Sequence, residues 1–245
     1  MRAEASGPVL LLDAGGTLLG QQLANDTQGR VIVDGMNLMG YDAMGLGLQD
    51  FAQGVDLVQA RALEARFPFL SANLLSIYGT PAFKPYVVIE KEGVRFGIIG
   101  VSDPTIGQLS TVRGTLVVTD AVTSVQQFVA EARPRSDVVI VLSSLGIEMD
   151  RNLARRVPGI DVILSGKTRW VMMEPEWVGD TAIAAAGYDG EWLGRLDAIA
   201  TAEGLEQAAV QIYDLVPEIA DDPEMNELLG AARRAAYMPT PTAKP

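Results

Sequence analysis

Asp137-Val138-Val139-Ile140-Val141-Leu142-Ser143-Ser144-Leu145-Gly146 is the stretch on which the fold turns. From Asp137 to Leu142 it is an apolar run with no period-two alternation, so it reads as a strand buried on both faces. Its carboxyl end opens into a loop of small polar residues and glycine. Asp161-Val162-Ile163-Leu164 repeats the pattern and ends in Ser165-Gly166, with a short helix between the two runs. Val9-Leu10-Leu11-Leu12-Asp13, closed by Ala14-Gly15-Gly16, reads as a third buried strand of the same kind.

The rest of the chain fills in around these runs. A short helix is expected over Val31 to Met39, and a strand at Ala43-Met44. Gln53 to Arg66 reads as a helix with Val55, Val58, Ala62 and Ala65 on one face. Phe69-Leu70-Ser71-Ala72 follows as a short strand. Tyr86–Glu90 and Val94–Val101 read as a hairpin joined through Lys91-Glu92-Gly93. Thr119 or Asp120 can cap a helix carrying Val122, Val125, Phe128, Val129 and Ala132. Thr181–Ala186 and Leu193–Ala200 read as strands, the latter pairing with Gln207–Tyr213 across Glu203-Gly204, and Asp222-Pro223 opens a last helix to about Tyr237. Apolar strands alternating with amphipathic helices predict a layered α/β fold with mixed sheets.

Composition limits the chemistry. The 245 residues contain no histidine and no cysteine, which removes the usual neutral nitrogen ligand, the usual general base and all thiol chemistry. Carboxylates alone could still hold Mg²⁺ or Ca²⁺, but not readily a di-zinc or iron–manganese hydrolytic centre. A net charge of −12 argues against binding the phosphate backbone of nucleic acid. No apolar run is long enough to span a membrane, and no signal-peptide core follows Met1. The expected compartment is therefore the cytoplasm if Met1 is the true start, and the periplasm if the chain is a processed fragment.

The ends of the apolar strands gather Asp13-Ala14-Gly15-Gly16-Thr17, Gly45-Leu46-Gly47-Leu48-Gln49-Asp50, Ser143-Ser144-Leu145-Gly146 and Ser165-Gly166-Lys167-Thr168-Arg169. Open α/β sheets bind ligands at such loop ends. In order along the chain, Leu10 to Gly15, Met39-Gly40-Tyr41-Asp42-Ala43-Met44, Phe67 to Asn73, Phe96-Gly97-Ile98-Ile99-Gly100-Val101, Val157-Pro158-Gly159-Ile160-Asp161 and Leu193-Gly194-Arg195-Leu196 give the sequence its likeness. It resembles the N-terminal catalytic domain of bacterial 5′-nucleotidases and UDP-sugar hydrolases, a branch of the calcineurin-like metallophosphoesterases. The resemblance implies a four-layer α/β/β/α sandwich with a two-metal site at its loop ends. It further implies one domain over residues 1–237, lacking the family's first strand, and a disordered Pro/Thr tail over 238–245.

The departures fall on the positions that carry the family's chemistry. Where the family has a metal-bridging aspartate after Asp-Ala-Gly, this chain has Gly16. Where it has Gly-Asn-His-Glu, this chain has Gly47, Leu48, Gln49 and Asp50. Ser144 stands in place of a histidine ligand, and Lys167 and Arg169 in place of two more. Two divalent cations about 3.5–4 Å apart need several anionic or imidazole ligands. Glycine and leucine offer none, and lysine and arginine repel the ions. The resemblance thus implies the fold and a dead metal centre together, with no metal and no cofactor.

Several functional readings follow. Lys167 and Arg169, helped by Thr168, Ser143 and Ser144, could hold a small anion without metal. Asp13, Asp42, Asp50 and Asp103 could instead gather a hard cation, or serve only to fix loops. Gln49 could orient a water, but no base stands beside it. Trp170, Trp177 and Trp192 read as packing or interface residues. With the family's first strand absent, Val9–Asp13 is expected to present a bare sheet edge to a protein partner or a second copy. The sequence therefore predicts a pseudoenzyme acting as a binding or scaffold subunit. The alternative is a hydrolase of phosphate esters or nucleotides using unfamiliar residues.

Overall fold

The computed structural model describes residues 5–201 and 204–237. In chain order the elements are β1 (Leu12–Asp13), α1 (Gln22–Asp26), α2 (Arg30–Met39), β2 (Ala43–Gly45), α3 (Val55–Glu64), β3 (Phe69–Leu70), β4 (Leu74–Ser76), β5 (Tyr86–Lys91) and β6 (Val94–Val101). They continue with β7 (Leu116–Val118), α4 (Ala121–Ala132), β8 (Val138–Ser143), α5 (Ile147–Arg156), β9 (Val162–Ser165), β10 (Glu176–Val178), β11 (Thr181–Ala184), β12 (Trp192–Thr201), β13 (Gly204–Asp214) and α6 (Pro223–Tyr237). The tail expected over 238–245 and Glu203 of the expected turn lie outside the described residues.

A six-stranded mixed sheet runs β10-β11-β9-β8-β6-β5, and a parallel three-stranded sheet runs β1-β2-β3. Strand alternation sorts the apolar residues of the larger sheet into two cores. Ile99, Val101, Val139, Val141 and Ile163 point outward onto α4 and α5. Ile98, Val138, Ile140, Leu142 and Val162 point inward and meet Ala43 and Leu70 of the smaller sheet. The far side of β2 and β3 packs through Met44 and Phe69 on Val33 and Met36 of α2 and Val55 and Val58 of α3. Helices therefore flank two facing sheets, which is the α/β sandwich expected of the metallophosphoesterase fold. The sheets come close at β3 and β6: a Cβ on Gly100 would lie 2.1 Å from the Leu70 carbonyl oxygen.

Local chemistry explains the element ends. The β5–β6 hairpin turns on Glu92 and Gly93, both at positive φ (50° and 82°), as a two-residue turn between twisted strands requires. The Asp120 side chain caps α4 by accepting from the Thr123 amide at 2.8 Å.

Three points go beyond or against the sequence reading. The run Val9–Leu12 is not buried on both faces, and only Leu12–Asp13 forms strand, because β1 has a neighbour on one side alone. On α3 the expected face packs on the core, Val55 and Val58 buried and Ala62 and Ala65 half-buried against the same cluster, but Arg61 is buried beside them, which the sequence did not indicate. The Arg61 guanidinium reaches the Gln28 carbonyl at 3.4 Å and Glu64 at 3.0 Å, which makes the burial tolerable. Finally, β4, β7 and β10 occupy stretches with no strand expectation; each is three residues long, too short to show a period.

Candidate functional site: a phosphoesterase-like loop layer

The loops after β1, β2, β6, β8 and β9 converge at the carboxyl ends of the strands. Two glycines let the first two loops touch. A Cβ on Gly15 would lie 2.6 Å from the Gly47 nitrogen, and one on Gly47 would lie 2.7 Å from the Gly16 nitrogen. Asp50 fastens this contact. One carboxylate oxygen accepts from the amides of Gly16 and Gly47, both at 2.8 Å, and the other from Leu18 at 2.9 Å. Asp50 has no solvent exposure. Burial pushes its carboxyl up to about 6, with Asp13 adding to the rise and the three amides opposing it.

Asp13 accepts from its own loop, the Gly15 amide at 2.7 Å and the Thr17 hydroxyl at 2.8 Å. Desolvation raises its carboxyl above the ordinary range against those two donors. Asp42 lies apart from the loop layer. It accepts from the Leu11 amide at 2.8 Å and pairs with Lys91 at 2.7 Å, holding the chain that enters β1. The four aspartates thus do not form one cluster.

Behind the loops lies a buried polar layer. The Leu46 carbonyl accepts from the hydroxyls of Ser102 (2.8 Å) and Ser144 (2.9 Å), and Asn73 exchanges two bonds with the Ser102 main chain, both 2.8 Å. Ser144 also accepts from the Asp103 amide at 3.0 Å. Ser143 donates to Asp150, as does Ser165 at 2.5 Å, so one carboxylate ties the ends of β8 and β9. Asp150 is fully buried, and burial lifts its carboxyl to about 6 despite the two hydroxyls. Sequence reading missed this residue. Its only signal was an acidic side chain in the first turn of α5, which reads simply as a favourable end charge.

Lys167 and Arg169 part company. Lys167 pairs with Asp103, whose carboxylate also takes the Thr105 amide at 2.8 Å and hydroxyl at 2.7 Å. Burial would raise Asp103, but the Lys167 ammonium and the Thr105 donors together hold it below the usual carboxylate range. Arg169 stacks over the Tyr188 ring, 5.3 Å from its centroid. Thr168 is buried between them and accepts from the Trp170 amide at 3.5 Å. Leu48 turns toward the apolar core beside α3, and Gln49 is exposed.

No family model matches the chain. Among curated proteins, 5′-nucleotidase of Rattus norvegicus is 35% identical over 167 residues, covering 65% of this chain and 29% of its own length. That of Homo sapiens is 34% identical over 172 residues, covering 67% and 30%. Among solved structures, the 5′-nucleotidase precursor from Thermus thermophilus superposes with a TM-score of 0.87 at 28% identity, covering 96% of this chain and 50% of that one. The sulfate thiohydrolase SoxB of the same organism, in complex with glycerol, gives 0.85 at 29% identity, covering 93% and 43%. The chain belongs to the calcineurin-like metallophosphoesterase/5′-nucleotidase superfamily. It spans about three tenths of the length of these curated relatives.

Within this superfamily fold the donor set does not fit a pair of metal ions. Around Gly16 there is room, since a Cβ there would meet nothing within 4 Å, but glycine supplies no side-chain ligand. Leu48 has no lone pair to give, and the ammonium of Lys167 already occupies the free oxygen of Asp103. Among the described residues, no group of three or more acidic side chains is placed to hold a metal ion. A Lys167→Met variant is expected to raise the titration of Asp103 and to cost about 1 kcal/mol, because the lysine is half exposed. Carboxyl-carbon NMR of Asp103 across pH 2–6 checks this, and an unmoved midpoint would deny the pairing its role.

Proposed function

We propose that this chain is a non-catalytic member of its superfamily that works by binding, as a scaffold or assembly subunit. The observation that carries the reading is the Lys167–Asp103 pair, a cation built into the place where the resemblance puts a metal ligand. Gly16 and Leu48, without ligand atoms at two further ligand positions, support it. A fixed ammonium next to a buried carboxylate repels a divalent ion and leaves no free base to activate water.

A small anion would have to draw Lys167 from Asp103 and Arg169 from the Tyr188 ring, the two exposed cations that flank Thr168 in the chain. Ser143 and Ser144 give their protons to Asp150 and Leu46 and so stand behind that site, not in it. The expected result with AMP and bis(p-nitrophenyl) phosphate in excess Mn²⁺ is turnover indistinguishable from buffer. Saturable turnover that Asp103→Asn abolishes would contradict the proposal and favour a hydrolase using unfamiliar residues.

A further inference from the structure

β2 and β3 run parallel, so the residues just before β3 lie at the opposite end of the sheet from the loop layer. Arg66, Phe67 and Pro68 occupy that end. Ala82-Phe83-Lys84 runs beside β3, where Lys84 bridges Leu70 and its carbonyl accepts from the Ser71 amide at 2.9 Å. Together with the end of α3 these segments line a crevice of about 580 Å³. Small-molecule pockets run to about 300–1,000 Å³, so it has the size for one.

Its floor is aromatic and fixed. Phe67, Phe69 and Phe83 are each less than a tenth exposed and belong to the core that also holds Val55 and Val58 of α3. Phe67 packs on Phe69 at 5.8 Å between centroids and on Tyr41 at 6.0 Å, and Phe83 meets Phe51 edge-on at 6.0 Å. Close packing of this kind sets the rings before any ligand arrives. Leu63 stands at the rim 89% exposed, apolar area that an occupant would take from water.

Two of the lining residues are charged, and both are cations. Each is anchored by its main chain: the Arg66 amide donates to the Asn37 side chain at 2.7 Å, and the Lys84 carbonyl takes the Ser71 amide. Both side chains are exposed, and neither charged group has an acidic partner among the described residues. Glu64, the acid nearest Arg66 in the chain, is taken by Arg30 at 3.2 Å and Arg61 at 3.0 Å. In a chain of net charge −12, an apolar crevice whose only charges are positive is a local reversal of sign that selects an anion.

We propose that this crevice binds a small amphipathic anion, with an aromatic or short aliphatic body on the phenylalanines and a carboxylate reached by Arg66 and Lys84. Arginine offers a planar pair of donors and lysine a compact charge, and both suit a carboxylate. The site stands apart from the loop layer, and so goes beyond the reading of the domain as a scaffold.

The probe is 2-naphthoate, with uncharged 2-naphthylmethanol as its control, titrated into the ¹⁵N-labelled chain. Naphthoate is expected to saturate, to shift the amides of Phe67, Phe83 and Lys84, and to bind about tenfold more tightly than the alcohol, as two exposed ion pairs allow. Salt at about 1 M should weaken the acid and leave the alcohol unchanged. The double variant Arg66→Gln, Lys84→Gln should bring the acid down to the alcohol's affinity. It should leave the alcohol's own affinity as it was, which shows the aromatic floor to be intact. Equal binding of acid and alcohol, or a double variant that still prefers the acid, would overturn the proposal. So would a lack of saturation below about 10 mM. Shifts confined to Lys167–Arg169 would also overturn it and move the anion to the loop layer. The acid and the alcohol are compared on the unaltered chain, so a variant that fails to fold does not leave the matter open.

Discussion

Asp50→Ala is expected to lower stability at pH 7 by about 3 kcal/mol, measured by urea unfolding. Three amides, those of Gly16, Leu18 and Gly47, lose their only acceptor inside a packed loop layer. Each orphaned buried donor costs about 1–3 kcal/mol. Relief of the buried charge returns part of that, which is why the sum is not the full total. Asp50→Asn is expected to fall between the two, because one oxygen still accepts while the new amide faces two donors. The Gly16 and Gly47 loops should also exchange hydrogen faster in both variants. A loss below about 1 kcal/mol for the alanine variant would mean that the glycine contact, not the carboxylate, holds the loops.

The second large effect is on pH. Asp50 and Asp150 each titrate near 6 in the folded chain, against about 3.8 when unfolded. The folded state therefore holds more protons than the unfolded state between those values, and stability must fall as pH rises from about 4 through 6. Each group contributes on the order of 1–3 kcal/mol to that fall. Below about 4 the trend reverses, because Asp137, held at about 2 by Arg95, and Asp103, held down by Lys167 and Thr105 against its burial, stay ionised in the folded chain while the unfolded chain takes up protons there. Maximum stability is thus expected between about pH 4 and 5. Asp150→Asn should flatten the fall between pH 4 and 6 and be neutral or stabilising at pH 7.5, since an amide can still bond both serines. Urea midpoints that rise from pH 4.5 to 7 would show the sign to be wrong.

How much of this was legible in the sequence depended on the range of the interactions. β8 and β9 were readable because layers cover both their faces and force unbroken apolar runs. Val9–Leu12 has the same composition, yet its burial depends on a neighbour the run itself cannot reveal. The β5–β6 turn was readable from Glu92-Gly93 because turn chemistry is local. Asp50 was visible as an acidic residue in a glycine-rich loop, but its work is done on Gly16 and Leu18, more than thirty positions away. Asp150 and the pairing of Lys167 with Asp103 were hidden for the same reason: strand order, not spacing, brings them together. The loss of side-chain ligands at two positions needed no structure, because glycine at 16 and leucine at 48 carry no side-chain donor atom in any conformation.

The central claim is that the loop layer cannot hold the superfamily's metal pair. Calorimetric titration of the purified chain with Mn²⁺, with elemental analysis of the dialysed protein, tests it most directly. The account predicts no saturable heat and well under one metal ion per chain. Two ions bound per chain, lost on Asp13→Asn or Asp103→Asn, would contradict it and return the loop layer to catalysis.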